Sequence, residues 1–142
     1  MGLIWVNCVG HQIKPALEKC PATFALLKCI PGVQTAGFSR LKSGAHITPH
    51  HGWVTNVYRL HFGLVIPNNC AMKVAHETRS WEEGKCLIFD DTSLHESWNR
   101  SDSDRYILLL DFLRPGCSPL SDDKMPIEVR MMLADKLRGG SN

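Results

Sequence analysis

The run GFSRLKSGAHITPHHGWVTNVYRLHFGLVIP fills residues 37–67 of this 142-residue chain, and it decides the fold. Short apolar stretches in it alternate with turn signals such as Ser43-Gly44. Residues 81–112, WEEGKCLIFDDTSLHESWNRSDSDRYILLLDF, continue the same pattern. Several short strands at close spacing, bounded by turn residues, are typical of β-sandwiches and barrels. The sequence therefore predicts a mainly β protein.

The predicted elements follow from this pattern and from its ends. Strands are expected at residues 33–41, 46–48, 56–65, 72–75, 85–89 and 105–112, with another short one at 95–98. Before them, residues 11–29 predict helical turns that Pro15 and Pro21 interrupt. After them, residues 121–137 predict a closing amphipathic helix with Pro126 in its first turn and Gly139-Gly140 as its stop. We expect a single domain over residues 1–142, with its core at about 30–116.

Composition excludes several classes of function. The net charge of +2 and the lack of a dense basic run argue against nucleic-acid binding. No apolar run approaches the roughly 18 residues that span a bilayer, and residues 1–10 lack the pattern of a signal peptide. We therefore expect a cytoplasmic location, or the lumen of the secretory pathway if the sequence is part of a longer anchored protein. The six cysteines form no CxxC pair, and packing as free thiols is favoured over disulfides.

Histidines are concentrated in the strand-rich part of the chain. Six of the seven lie between Ser39 and Arg105. Neutral imidazole is the commonest protein metal ligand. His46 and His50 have the HxxxH spacing of a helical zinc site, but Pro49 argues against a helix there. One histidine of the His50-His51 pair together with the distant His95 is the better metal-binding pair. Non-haem iron enzymes usually add a carboxylate two residues after the first histidine, whereas glycine stands at that position here.

Two arginines in apolar strands point to an anionic ligand. Period-two alternation places Arg59 on one strand face with His61 and Gly63. In the last strand, alternation places four residues on one face: Arg105, Ile107, Leu109 and Asp111. An arginine in a buried strand is costly unless it meets an anion. Histidines and arginines together suggest a metal centre beside a cosubstrate that carries a carboxylate.

Simpler interpretations exist for each of these residues. The His50-His51 pair fits an exposed loop, and His95 fits a packed histidine beside Trp98. Arg59 fits the surface of an edge strand. Arg105 fits an ion pair with Asp102 or Asp104 at the start of its strand. The hypothesis of a metal and a cosubstrate fails only if all four simpler interpretations are correct at the same time.

The window resembles the aspartyl/asparaginyl β-hydroxylase family of 2-oxoglutarate-dependent dioxygenases. The resemblance covers roughly residues 32–116 and rests on four segments: GFSRLKSGAHITPHHG, RLHFGLVIP, ETRSWEEGKCLIFDD, and LHESW followed by Arg105. In this family glycine commonly replaces the carboxylate ligand and water completes the iron shell. The resemblance implies a double-stranded β-helix (jelly-roll, cupin-like) with an N-terminal helical segment and a C-terminal helix.

The resemblance also implies the site. It implies Fe(II) ligation by His50 and His95, and binding of the cosubstrate 2-oxoglutarate by Ser39, Arg59, His61 and Arg105. With these assignments, Arg105 and Ser39 suit the distal carboxylate, and Arg59 and His61 suit the carboxylate nearest the metal. Asp91 is a candidate to hold the metal-bound water. With O₂, such a site would hydroxylate a carbon atom.

The implied substrate is an Asp or Asn residue, hydroxylated at its β-carbon in a peptide or a small amino-acid compound. One alternative is hydroxylation of a lipid acyl chain, as in related members. A second alternative, from another class of protein, is a non-catalytic jelly-roll binding module. The presence of both histidines and both arginines counts against this module.

Overall fold

The computed structural model describes residues 2–8, 11–12, 18–121 and 124–137. Within them the chain forms ten strands and two helices. The strands are β1 (Gly2–Cys8), β2 (His11–Gln12), β3 (Val33–Leu41), β4 (His46–His50), β5 (Val57–Val65), β6 (Cys70–Val74), β7 (Glu77–Ser80), β8 (Cys86–Phe89), β9 (His95–Asn99) and β10 (Arg105–Leu113). The helices are α1 (Pro21–Leu27) and α2 (Ile127–Leu137).

The strands form two antiparallel sheets. The larger sheet has the order β2-β1-β3-β10-β5-β8, and the smaller one has the order β4-β9-β6-β7. From β3 onward the chain crosses repeatedly between the sheets, so that β3, β5, β8 and β10 lie in one and β4, β6, β7 and β9 in the other. This alternation is the double-stranded β-helix, or jelly roll, which confirms the predicted fold class.

Two apolar clusters hold the sheets and helices in place. Between the sheets the buried cluster comprises Cys70, Met72, Trp81 and Ile107. The second cluster covers the outer face of the larger sheet, where both helices pack, and it comprises Val6, Leu27, Ala36, Leu110, Met125 and Leu133. Because alternate residues of β10 contribute to different clusters, this central strand is apolar on both faces.

Most predicted elements are found, and the differences lie at the two ends of the chain and at β7. Of residues 11–29, His11–Gln12 is a strand, whereas residues 18–19 and Pro21–Leu27 are helical and Cys20 separates them. The interruption expected at Pro21 is therefore found, since proline is tolerated only in the first turn of a helix. Residues 13–17 and the Gly139-Gly140 stop lie outside the described residues. Helix α2 begins at Ile127, directly after Pro126. Strands β1 and β7 were not predicted, since β7 is exposed along its whole length and has no apolar alternation.

Two expectations from composition, about disulfides and about membrane spans, can be compared with the structure. Among the cysteines whose side chains the structure describes, all are free thiols: Cys20, Cys29, Cys70, Cys86 and Cys117. Neither helix in the described part of the chain is long and apolar enough to cross a bilayer.

Candidate active site

His50 and His95 face each other at one end of the smaller sheet. They are paired residues of β4 and β9, and their ring centroids lie 4.2 Å apart. His95 is buried, at 7% exposure, whereas His50 is exposed. The pairing brings together two imidazoles that are 45 residues apart in the sequence, from position 50 to position 95. The structure thus selects His50, not His51, as the partner of His95.

Both rings of this pair are oriented by their Nδ1 atoms. His50 Nδ1 lies 2.8 Å from the carbonyl oxygen of Thr48, and His95 Nδ1 lies 2.8 Å from that of Ser93. A carbonyl only accepts, so each Nδ1 is the donor, and in the neutral ring the lone pair that could bind a metal then lies on Nε2. Metal-binding histidines are held by such bonds to their other nitrogen. Burial lowers the pKa of His95, which favours the neutral form that a metal requires.

Asp91 occupies the position where a third ligand would otherwise project. A Cβ built on Gly52 would overlap the Asp91 carboxylate, and Gly52 N donates to the Asp91 carbonyl oxygen at 2.7 Å. Asp91 Oδ1 lies 3.3 Å from His95 Nε2. Glycine at position 52 is therefore required by close approach, and the Asp91 carboxylate fills the space that a side chain at position 52 would take. Burial raises the pKa of Asp91, with Arg59 and His95 opposing this effect.

Arg59 links Asp91 to the larger sheet. Its Nε and Nη2 each donate to Asp111 at 2.8 Å, in a two-pronged pair, and its Nη1 donates to Asp91 Oδ1. Burial opposes the charge of Arg59, but the hydrogen bonds and charge of Asp111 raise its pKa overall. Arg59 and Asp111 are opposite residues of β5 and β10. The arginine is thus in an interior strand and engaged by two carboxylates, which excludes the edge-strand interpretation.

Arg105 is a buried cation with no carboxylate partner among the described residues. It is 2% exposed, its Nη2 donates to Ser39 Oγ at 2.9 Å, and its Nε has no hydrogen-bond partner. Burial lowers its pKa to about 10. Asp104, an alternative partner in the sequence, pairs instead with Arg40. A buried charge without a counter-ion is expensive, so this position indicates a site for an anion.

His61 adds a second unpaired polar atom to the interior. Its Nδ1 accepts from Trp81 Nε1 at 3.2 Å, while its fully buried Nε2 has no partner in the described structure. Burial, and then the charges of Arg105 and Arg59, hold the pKa of His61 well below its usual value. The neutral ring therefore presents an Nε2–H donor. Phe89 lies between the two parts of the site, with ring centroids 5.0 Å from His61 and 5.4 Å from His95.

The predicted residues thus form one interior site with two parts. The candidate metal part contains His50, His95 and Asp91, and the candidate anion part contains Arg105, Ser39 and His61, with Arg59 bonded to Asp91. No group of three or more His, Cys, Asp or Glu side chains in the described ranges is placed to hold a metal. A centre here would rest on two histidines, as the HxG pattern predicts, with positions left for water and cosubstrate. The unpaired donors of Arg105 and His61 fit a dicarboxylate.

Two residues of the site were missed from sequence. Asp111 was placed on the correct strand face but not as a partner, although an aspartate on a buried face is itself a signal for a cation. Trp81 is not among the candidate site residues from sequence, and no local pattern identifies its bond to His61. His51, by contrast, is exposed, and its Nδ1 is bonded to the Thr92 carbonyl oxygen at 2.8 Å.

Known proteins are similar to this chain in sequence. An ornithine lipid ester-linked acyl 2-hydroxylase of Rhizobium tropici is 42% identical over 113 residues, covering 78% of this chain and 40% of the relative. The human aspartyl/asparaginyl β-hydroxylase is 37% identical over 125 residues, covering 82% of this chain and 16% of the relative. The chain therefore spans less than half the length of either.

Fold comparison and family matching agree with these relatives. A non-heme monooxygenase solved as the ThoJ–Ni complex aligns with 63% of this chain and 47% of its own, at a TM-score of 0.54 and 17% identity, and so shares the fold. The model of the aspartyl/asparaginyl β-hydroxylase family matches residues 3–115. On this match and these identities, the chain belongs to the aspartyl/asparaginyl β-hydroxylase family of hydroxylases.

Proposed function

We propose that this protein is an Fe(II)- and 2-oxoglutarate-dependent dioxygenase that hydroxylates a carbon atom of its substrate. The observation that supports this most directly is that Arg105 Nε and His61 Nε2 are both buried without a partner, close to the His50–His95 pair, since Phe89 contacts both His61 and His95. A dicarboxylate that reaches a metal would satisfy both donors. A non-catalytic binding module would not require this combination.

His50 and His95 would hold the iron through Nε2. Bound Fe(II) would supply the activation of O₂, in which 2-oxoglutarate is oxidised to succinate and CO₂ and the second oxygen atom enters a C–H bond of the substrate. The chain's own residues prepare this chemistry. Ser39 and Arg105 would bind the distal carboxylate, where charge-assisted hydrogen bonds contribute about 1.5–3 kcal/mol each.

Arg59 and Asp91 would organise the metal end. Arg59 keeps Asp91 beside His95 while Asp111 holds two of its nitrogens, so the Asp91 carboxylate stays fixed although it is buried. In that position Asp91 would accept a hydrogen bond from water in the metal shell. The remaining N–H groups of Arg59 and the Nε2–H of His61 would face the cosubstrate carboxylate nearest the metal. Burial of all these groups excludes bulk water from the cosubstrate.

For the substrate, we propose the β-carbon of Asp or Asn in a peptide or a small amino-acid compound, in line with the name of the human relative. A second candidate is a lipid acyl chain, in line with the name of the Rhizobium relative. One observation favours the second. A cavity of about 250 Å³ opens between the free edges of β7 and β8. Its inner lining is apolar (Met72, Val74, Leu87 and Phe89), Glu77, Arg79 and Asp90 supply charged groups, and Phe89 contacts His95.

Metal binding and succinate formation test the proposal together. The purified protein is expected to bind one divalent metal ion per chain, measured by calorimetry, and to form succinate from 2-oxoglutarate under O₂. His50→Ala and His95→Ala should each abolish both signals, because two histidines leave no spare ligand. His51→Ala is the matched control and should retain both. Metal binding that survives His50→Ala but not His51→Ala would contradict the assignment.

Substrate choice is decided by the same assay. Succinate release should be compared for Asp- and Asn-containing peptides, free Asp and Asn, and acylated amino-acid lipids, with the hydroxylated product located by mass spectrometry. Turnover of the lipids alone would replace the first substrate candidate with the second. Binding of metal and 2-oxoglutarate with no succinate from any of these would point to a substrate outside both classes.

A further inference from the structure

Trp81 is the residue that contacts both unpaired donors of the anion part. It follows β7, lies between the sheets and is 3% exposed. Its indole Nε1 donates to His61 Nδ1 at 3.2 Å, and its ring lies under Arg105, with Arg105 Cζ 4.6 Å from the ring centroid. Ser39 is bonded to Arg105, and Phe89 packs against His61.

The bond to His61 fixes which nitrogen of that imidazole carries the proton. An indole N–H can only donate, so His61 Nδ1 must be the acceptor. The ring is neutral because burial disfavours its charged form, and the proton therefore resides on Nε2. Without the indole N–H, the two neutral tautomers would compete. One of them turns a lone pair, not a proton, towards an incoming carboxylate.

The contact with Arg105 positions a cation that has no carboxylate partner. A guanidinium over an indole face is attracted by the ring's negative face, and this attraction is strongest where water is excluded. Trp81 and Ser39 thus hold the guanidinium from two directions, while Nε stays unpaired. The cation is kept in place without neutralisation, so its charge remains available to a ligand.

We propose that Trp81 is a positioning residue of the cosubstrate site, which presents His61 as an Nε2–H donor and holds the Arg105 guanidinium for the same dicarboxylate. This inference rests on the proposed function for the identity of the ligand. The geometry itself, one indole in contact with both donors, does not depend on it. A tryptophan that served only to fill the core would need neither contact.

The test separates the N–H of Trp81 from its ring. Trp81→Phe keeps an aromatic face beneath Arg105 and removes the donor to His61. The matched control is Trp98→Phe, because Trp98 also lies under an arginine, Arg100, at 5.0 Å, but on the outer face of β9. In the presence of Mn(II), the dissociation constant for 2-oxoglutarate is expected to rise about tenfold in Trp81→Phe, the equivalent of roughly 1.4 kcal/mol. It should change less than twofold in Trp98→Phe.

A second measurement distinguishes positioning from packing. In metal-free protein labelled with ¹⁵N in its histidines, the His61 nitrogens should show protonated Nε2 and unprotonated Nδ1 in the wild type. Trp81→Phe should shift both signals towards a mixture of tautomers, and Trp98→Phe should not. In a His61→Gln background the amide can accept from the indole and donate to the ligand, so 2-oxoglutarate binding should be largely retained.

The outcomes decide between the possibilities. Unchanged His61 nitrogen signals in folded Trp81→Phe would overturn the inference, whatever the affinity. Shifted signals with unchanged affinity would also overturn it, because the tautomer would then not matter to the ligand. If Trp81→Phe does not fold, Trp81→Met, which also lacks a donor, replaces it in both measurements; the His61 signals should shift in the same way and the dissociation constant should rise at least about tenfold. Failure of the wild type to bind 2-oxoglutarate would overturn both the proposed function and the role of Trp81 towards that ligand.

Discussion

Arg105 carries the clearest conflict between stability and function in this chain. Its guanidinium is buried, contacts Ser39 and Trp81, and leaves Nε without a partner in the described structure. Replacing buried charged groups with apolar residues of similar volume often leaves the stability of a protein unchanged or raises it. A buried arginine at position 105 is explained if an anionic ligand binds to it and supplies the missing counter-charge.

We therefore expect opposite effects of Arg105→Met on stability and on binding. The free energy of unfolding of the ligand-free protein should stay unchanged or rise, because an unpaired buried charge is removed. The dissociation constant for 2-oxoglutarate should rise at least about 100-fold, the equivalent of roughly 2.7 kcal/mol. Arg105→Lys should also weaken binding strongly, since an ammonium cannot reproduce the planar, two-pronged pair. Denaturant titration and calorimetry measure the two effects.

Arg40→Met is the control for Arg105→Met. Arg40 is exposed and pairs with Asp104 on the surface, so its loss should change neither quantity appreciably. Unchanged 2-oxoglutarate affinity in Arg105→Lys and Arg105→Met would show that this arginine does not bind the cosubstrate.

At the scale of elements, antiparallel register assembles the site. Pairing of β4 with β9 sets His50 opposite His95, and pairing of β5 with β10 sets Arg59 opposite Asp111. A shift of one residue in either pair would turn the functional side chains to the other face of the sheet. The helices lie on the outer face of the larger sheet and contribute nothing to the interior site. Their role is to bury that face.

A pair of substitutions in α2 tests this separation of roles. Leu133 is buried at 5% exposure, whereas Met131 on the same helix is 66% exposed. Leu133→Ala should lower the free energy of unfolding by about 2–5 kcal/mol, because it leaves a cavity against the sheet. Met131→Ala should change it by no more than about 0.5 kcal/mol. Affinity for metal should match the wild type in both variants, and a loss of metal binding in folded Leu133→Ala would contradict the separation.

At the scale of the whole molecule, the interior between the sheets is built for neutral histidine. His61 is fully buried, and burial together with Arg105 and Arg59 places its folded-state pKa well below 6.5. In the unfolded chain the same ring has a pKa of about 6.5. Below that pH the unfolded state takes up a proton that the folded state cannot, so stability falls as the pH falls and is recovered as the pH rises above about 6.5.

His61→Gln is expected to weaken this pH dependence. Between pH 7 and pH 5, in metal-free protein, the wild type should lose about 1–2 kcal/mol more of its unfolding free energy than His61→Gln. Urea denaturation at each pH measures the difference. His51→Gln, at an exposed position, should behave as the wild type. Parallel curves for the wild type and His61→Gln would show that His61 is not buried in its neutral form.

By itself, the sequence determined the strands that carry the site and the faces they present. Period-two alternation placed Arg59 with His61 and Arg105 with Asp111. His61, Arg105 and Asp111 are buried, and Arg59, although partly exposed, contacts the buried Asp91 and Asp111, which agrees with both assignments. Such patterns can be recognised in the sequence because side chains alternate between the two faces of each strand, so the buried face of a strand follows from its own residues. The resemblance in motif spacing supplied the pairing of His50 with His95, which local physics left open between His50 and His51.

Only the tertiary structure decided how these residues meet. The partners of the decisive contacts are far apart in sequence: 52 residues for Arg59 and Asp111, 66 for Arg105 and Ser39, and 20 for Trp81 and His61. It also showed that Gly52 makes room for Asp91, a relation between two loops. Contacts of this kind depend on register and on the packing of the two sheets, and no local pattern of side chains encodes them.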